Sequence, residues 1–171
     1  MIFILIQSTM KTFNILSFVT LTIIFIGCSP IQKNNFYINS PDQKLALNFA
    51  INDIGQVFYS VMFNSKIIID TSYISFDFKD QKPLGTNLEI VNSTLSSFDE
   101  TWETVWGEQR YIRNNYNELR IELKEKEELE RKCFVVFRLF NDGLGFRFEF
   151  PEQENPNDII IIDENTQFNL T

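Results

Sequence analysis

Three features of this sequence predict an all-β chain folded as an antiparallel β-sandwich. Apolar and polar residues alternate with a period of two in many short segments. Turn residues interrupt those segments about every 8–12 positions, the spacing of sandwiches and barrels. The 18 phenylalanines fall mostly on one parity within their segments. Strict alternation is what a strand with one buried face produces, and rings on one parity fill the space between two sheets.

Taken in order, residues 29–35 are polar, and the stretch 28–39 reads as a tether. Segments 45–51 and 57–63 flank Asn52, Asp53, Ile54 and Gly55, a turn cluster, so they form a hairpin. Residues 66–70 make a short β-branched strand, 73–79 alternate cleanly, and 88–98 form another strand. Residues 116–124 alternate apolar and charged, as a half-buried strand does. Segments 133–140 and 144–150 bracket Asn141, Asp142 and Gly143, a strong hairpin signal, and Pro151 closes the second strand. The run 159–162 is continuously apolar, and 166–170 has strand character. Between two strands, the mixed charges at 124–132 read as the solvated tip of a long hairpin. Cys133 opens a strand and reads as a small core residue.

Composition excludes several classes of function. A length of 171 residues suits one domain plus a targeting segment. Net charge is −8 and the pI about 4.6, opposite to the basic surface that nucleic acid requires. The chain has no histidine, which removes the commonest general base and zinc ligand. Its two cysteines, Cys28 and Cys133, are too few for a disulfide framework.

The N-terminus reads as a signal peptide over 1–27, with Met10 followed by Lys11 a better start than Met1. The apolar run 13–26 is short for a membrane span and suits a signal h-region. It ends in Phe25-Ile-Gly-Cys28, which resembles a bacterial lipobox, with Phe25 where leucine is more usual. That resemblance implies lipidation at Cys28, and an exported chain anchored to a membrane at the periplasm or cell surface. An ordinary signal peptide with an incidental cysteine is the plainer alternative.

Both tryptophans lie in Asp99-Glu-Thr-Trp-Glu-Thr-Val-Trp-Gly-Glu108, read as a loop that runs on to Leu119. The faces of Trp102 and Trp106 suit stacking on sugar rings, while Glu108, Arg113 and Asn114 suit hydrogen bonds to hydroxyls. The alternative is that both rings are buried in the sandwich or against a neighbouring domain. Asp99, Glu100, Glu103 and Glu108 are acids close in sequence, but a glycosidase needs two acids placed across a pocket. No residue is therefore assigned a catalytic role. Arg110 and Arg113 suit pairing with Glu103 or Glu108. No metal is assigned, because the oxygen-rich segments lack an EF-hand pattern. Asn92-Ser-Thr94 fits a glycosylation acceptor, of little weight behind a bacterial-type signal.

Several segments, in order, resemble the N-terminal domain of glycoside hydrolase family 97. They are Ser40-Pro-Asp42, Gly55-Gln-Val-Phe-Tyr-Ser-Val61, the tryptophan segment, Arg113-Asn-Asn-Tyr-Asn-Glu-Leu119 and Asn141-Asp-Gly-Leu-Gly-Phe-Arg-Phe-Glu-Phe-Pro-Glu-Gln153, with Asp163, Thr166 and Phe168 in the tail. The resemblance covers 40–171 and implies a super-sandwich domain packed on a catalytic (β/α)8 barrel. It also implies activity on α-glucosides or α-galactosides, hence an α-linked oligosaccharide as partner, and calcium in the full-length enzyme. It expects the family's calcium-binding glutamate in a later strand, so Glu149, Glu152 and Glu164 are not nominated. The expectation is a truncated domain without its barrel, carbohydrate-associated and non-catalytic. A stand-alone lipoprotein that binds glycans and a purely structural interface remnant are the other two readings.

Overall fold

A computed structural model describes residues 34–126, 129–153 and 159–171. The proposed signal segment and Cys28 lie outside the described residues. Eleven strands and no helix make up this part of the chain. They are β1 (Asn35–Asn39), β2 (Leu45–Ile51), β3 (Val57–Phe63), β4 (Lys66–Tyr73), β5 (Phe76–Phe78), β6 (Leu88–Glu103), β7 (Tyr111–Glu125), β8 (Lys132–Leu139), β9 (Leu144–Glu149), β10 (Ile161–Glu164) and β11 (Asn169–Leu170). Every pairing is antiparallel. One sheet runs β1-β2-β3-β4-β11, a second runs β6-β7-β8-β9, and β5 pairs with β10 in a small third.

The core forms where alternation places one parity of each large sheet against the other. Leu47, Phe49 and Tyr59 meet Leu119, Ile121 and Phe137, all with no exposed surface. Phe137 lies 5.7 Å from Phe49 and 6.0 Å from Tyr59, ring centre to ring centre. Full burial of such side chains stabilises by about 1.5–3 kcal/mol each. The Tyr59 hydroxyl keeps a partner in this setting by donating to the Gln167 carbonyl at 2.7 Å. Burial pushes its pKa up to about 12. Cys133 is buried as expected, and desolvation raises its thiol to about 12, so it is inert at neutral pH.

The β2–β3 turn needs its glycine. Gly55 has φ +71°, and a Cβ there would lie 2.6 Å from the Leu88 backbone nitrogen, which donates to the Gly55 carbonyl at 2.9 Å. This contact fixes where β6 begins.

Four expectations are corrected. Residues 35–39, assigned to the tether, form edge strand β1, because Phe36 and Ile38 bury on one parity. The strand expected over 73–79 breaks at Ile74 and Ser75, where the chain leaves β4 and pairs as β5 with β10. The strand expected to end at Phe98 continues to Glu103, and the one expected to start at Tyr116 starts at Tyr111. Lastly, the 124–132 run is a hairpin connection but is not all solvated. Arg131 is 1% exposed and pairs with the buried Glu125 through two 2.8 Å contacts. It also donates to the carbonyls of Lys82 at 2.7 Å and Pro83 at 3.2 Å and lies over the Phe78 ring.

Arg131 thus ties the β7–β8 connection to the crossover before β6. Arg131→Met leaves the Glu125 carboxylate buried without its partner, and it should lower unfolding free energy by about 3–5 kcal/mol in urea melts. Adding Glu125→Met should recover only part of the loss, since the guanidinium's bonds to the Lys82 and Pro83 carbonyls are still gone. Full recovery would show that these carbonyls do not need the guanidinium.

Candidate functional site

β6 and β7 form one ladder from Leu88↔Glu125 out to Glu103↔Tyr111, with a single irregularity between Ile90 and Asn92. Their inner halves belong to the core and their outer halves project past it as a two-stranded arm. The tryptophan segment is therefore not a loop from 99 to 119. Only 104–110 turns, closed by Thr104 N donating to the Arg110 carbonyl at 2.9 Å and Thr104 Oγ1 to that of Gln109 at 2.5 Å. Gly107 supplies the φ of +130° that this tip requires.

Parity fixes the two faces of the arm. The face continuous with buried Leu119, Ile121 and Leu123 carries Ser97, Asp99 and Thr101 opposite Asn117, Asn115 and Arg113. The other carries Phe98, Glu100 and Trp102 opposite Tyr116, Asn114 and Ile112. The apolar face thus swaps sides where the arm leaves the sandwich. On the swapped face Phe98 stacks on Tyr116 at 5.4 Å, Tyr116 meets Phe140 at 5.2 Å, and the Arg138 guanidinium lies 4.5 Å above Tyr116. Arg138 is held there by Glu118 at 2.7 Å.

The five residues put forward as sugar contacts do not converge on one pocket. Trp102 and Asn114 share the apolar face, and Trp102 is 42% exposed. Trp106, 88% exposed, and Glu108 belong to the tip. Arg113 is on the opposite face, where it grips Asp99 through contacts of 2.8 and 2.6 Å. Among the described residues neither tryptophan is buried against the sandwich. Arg110 pairs with Glu103 at 2.7 Å as expected. Arg113 takes Asp99 rather than Glu103 or Glu108, since Asp99 is its diagonal neighbour on the same face. The Phe98–Tyr116–Phe140 stack with Arg138 was not foreseen. The shared parity of Phe98 and Trp102 on a strand continued past Phe98 would have signalled it.

The hydrogen bonds from Arg113, with its charge, hold the Asp99 carboxyl below its ordinary value of 3.8. Among the described residues no three His, Cys, Asp or Glu side chains gather as a metal site. The calcium that the family resemblance implies finds no ligand set among them.

Residues 38–171 match the family described as glycosyl-hydrolase 97 N-terminal. Among solved structures, a variant of a glycoside hydrolase family 97 enzyme from Pseudoalteromonas sp. strain K8, in complex with panose, superposes with a TM-score of 0.74 at 27% identity. An acarbose complex from the same organism gives the same values. In both cases 79% of this chain is covered, but only 20% of the matched chain. A β-arabinopyranosidase shares the fold with a TM-score of 0.69 at 21% identity, over 80% of this chain and 21% of its own. This chain therefore spans about one fifth of the length of the enzymes it matches.

A carboxyl lowered on folding stabilises the folded state above its unfolded pKa and loses that contribution as pH falls through the folded one. The Asp99 side-chain carboxyl resonance should therefore titrate with its midpoint below the ordinary carboxylate value of 3.8. Asp99→Asn should abolish that acid step in an NMR titration. A midpoint above 3.8 in the unsubstituted chain would contradict the pairing.

Proposed function

The chain belongs to the glycosyl-hydrolase 97 N-terminal family, and from that premise we propose that it is the non-catalytic, carbohydrate-associated module of a hydrolase acting on α-glucosides or α-galactosides. The observation that carries this reading is the swap of the apolar face along the β6–β7 arm. Phe98, Trp102 and Ile112 face away from the sandwich's own core, and Val105 and Trp106 stand nearly bare at the tip. A face of that kind serves to be covered by a second body, here the catalytic domain of the parent enzyme. The arm's acids support the non-catalytic half of the reading. A glycosidase's general acid works with a raised pKa, whereas Asp99 is shifted the other way and is held, like Glu103, by an arginine. The enzymes matched in the structural comparison carry panose and acarbose, which supports an α-linked oligosaccharide as the substrate class.

Export and anchoring through a lipidated Cys28 complete the proposal. The stand-alone glycan-binding lipoprotein keeps one observation in its favour, the exposure of Trp106.

The purified chain should release no product from aryl α-glucosides or aryl α-galactosides above the buffer rate; steady turnover of either would defeat the non-catalytic reading. In a bacterial host, labelled palmitate should enter the wild-type chain and be lost in Cys28→Ser. Equal labelling of both would remove the anchor.

A further inference from the structure

We propose that the elbow between edge strand β1 and the base of the arm binds a short neutral saccharide, with the Tyr37 ring as its stacking face and Gln43, Ser97 and Asn117 as its polar lining. An open cleft of about 600 Å³ lies there, bounded by the β1–β2 turn on one side and Leu95, Ser97 and Asn117 on the other. That volume is within the ~300–1,000 Å³ range of small-molecule sites. The cleft lies at the base of the arm and shares none of its lining with Trp102 or Trp106.

Its walls are fixed before any ligand arrives. Asn117 Nδ2 donates to the Asn39 carbonyl at 2.8 Å, and Asn117 Oδ1 accepts from Ser97 Oγ at 2.7 Å. The turn is held by Ser40 Oγ, which donates to Asp42 at 2.7 Å and accepts from Leu45 N at 3.0 Å. Tyr37 is 59% exposed, and its hydroxyl accepts from Asn35 Nδ2 at 2.9 Å, which orients the ring. Walls ordered in advance lower the entropy cost of binding.

The unused valences define the ligand. Asn117 retains one N–H and one lone pair, and the Gln43 amide has no partner among the described residues. On β1, Ser40 N and the Asn34 carbonyl bond to β2, so the backbone groups of Tyr37, on the other parity, point away from β2. These are neutral donors and acceptors side by side, the complement of vicinal hydroxyls. Charged residues form 22% of the chain, yet no carboxylate, ammonium or guanidinium lines the cleft. An anion would find no counter-charge there and would meet a chain of net charge −8. The one carboxylate in the bounding turn, Asp42, is already taken by Ser40 and Lys44. A half-bare ring beside such groups suits a pyranose, which pairs an apolar face with a hydroxylated edge.

The choice of a saccharide over another neutral polyol rests in part on the proposed function. Calorimetry and amide-shift mapping on the full chain test it, with maltotriose and melibiose as probes and digalacturonate as the charged control. The neutral sugars should shift the amides of residues 37–40, 42–43 and 95–97, while digalacturonate should give no heat. Tyr37→Ala should weaken binding by about tenfold or more. Tyr37→Phe, which keeps the ring, should stay near the wild-type affinity, as should Trp106→Ala. Unchanged thermal melts would show that each variant folds. The proposal is overturned if neither sugar gives heat or shifts, or if Tyr37→Ala binds like the wild type. It is also overturned if Trp106→Ala alone abolishes binding, which would move the site to the arm tip. Hydrolysis by the chain would refute the non-catalytic reading and leave the cleft untouched.

Discussion

Everything placed on the outer half of this molecule depends on the β6–β7 ladder keeping one register from the core to the tip. A strand has a period of two, so a slip of one residue would turn every side chain to the opposite face. Burial of Leu119, Ile121 and Leu123 locks that register at the base. No irregularity occurs beyond Asn92. The core therefore dictates, some distance away, that Trp102 and Ile112 share one face while Arg113 and Asn117 share the other. Ion pairs on the arm lie in solvent and are individually weak. They keep long side chains in place along a hairpin that has no opposing sheet, but they do not choose its faces.

The inner parity could not have remained apolar along the arm. Beyond Asn117, which still meets Asn39 of β1, no second sheet covers it among the described residues, and uncovered leucines there would have no burial to offset their exposure. The sequence accordingly changes to Ser97, Asp99, Thr101, Arg113 and Asn115 on that side. The same change leaves Ser97 and Asn117 at the boundary, where they meet β1 and shape the elbow. A sandwich ending on this side and a polar cleft at its margin are two results of one switch in pattern.

Much of this was legible in the sequence because alternation reports burial directly. The β2–β3 and β8–β9 hairpins follow from turn chemistry at 52–55 and 141–143, and the two-sheet core follows from the parity of the phenylalanines. What alternation could not report was burial of charge. Glu125 and Arg131 sit in a run whose composition signals solvent, and only the approach of the Lys82 and Pro83 carbonyls makes a dry site acceptable. The arm was illegible for the opposite reason. Strands without a buried face carry polar residues on one side and mixed residues on the other, which is also how a loop reads. Edge strand β1 was missed because only Phe36 and Ile38 mark it within a polar stretch.

The paired acids on the arm bear on what kind of element it is. A carboxyl that serves as proton donor at neutral pH requires an environment that opposes its charge, through desolvation or a like charge nearby. Asp99 has the reverse, a bidentate guanidinium and open solvent, so it stays ionised across the physiological range. The same pairing occupies Arg113, which is then committed to Asp99 before any hydroxylated ligand arrives. Meanwhile the apolar residues of the arm gather on the face these ion pairs do not occupy. The polar face neutralises its own charges, and the apolar face is left with surface to bury. That division suits the docking role proposed for the arm, with the proposed saccharide site in the neutral, pre-bonded groups at its base.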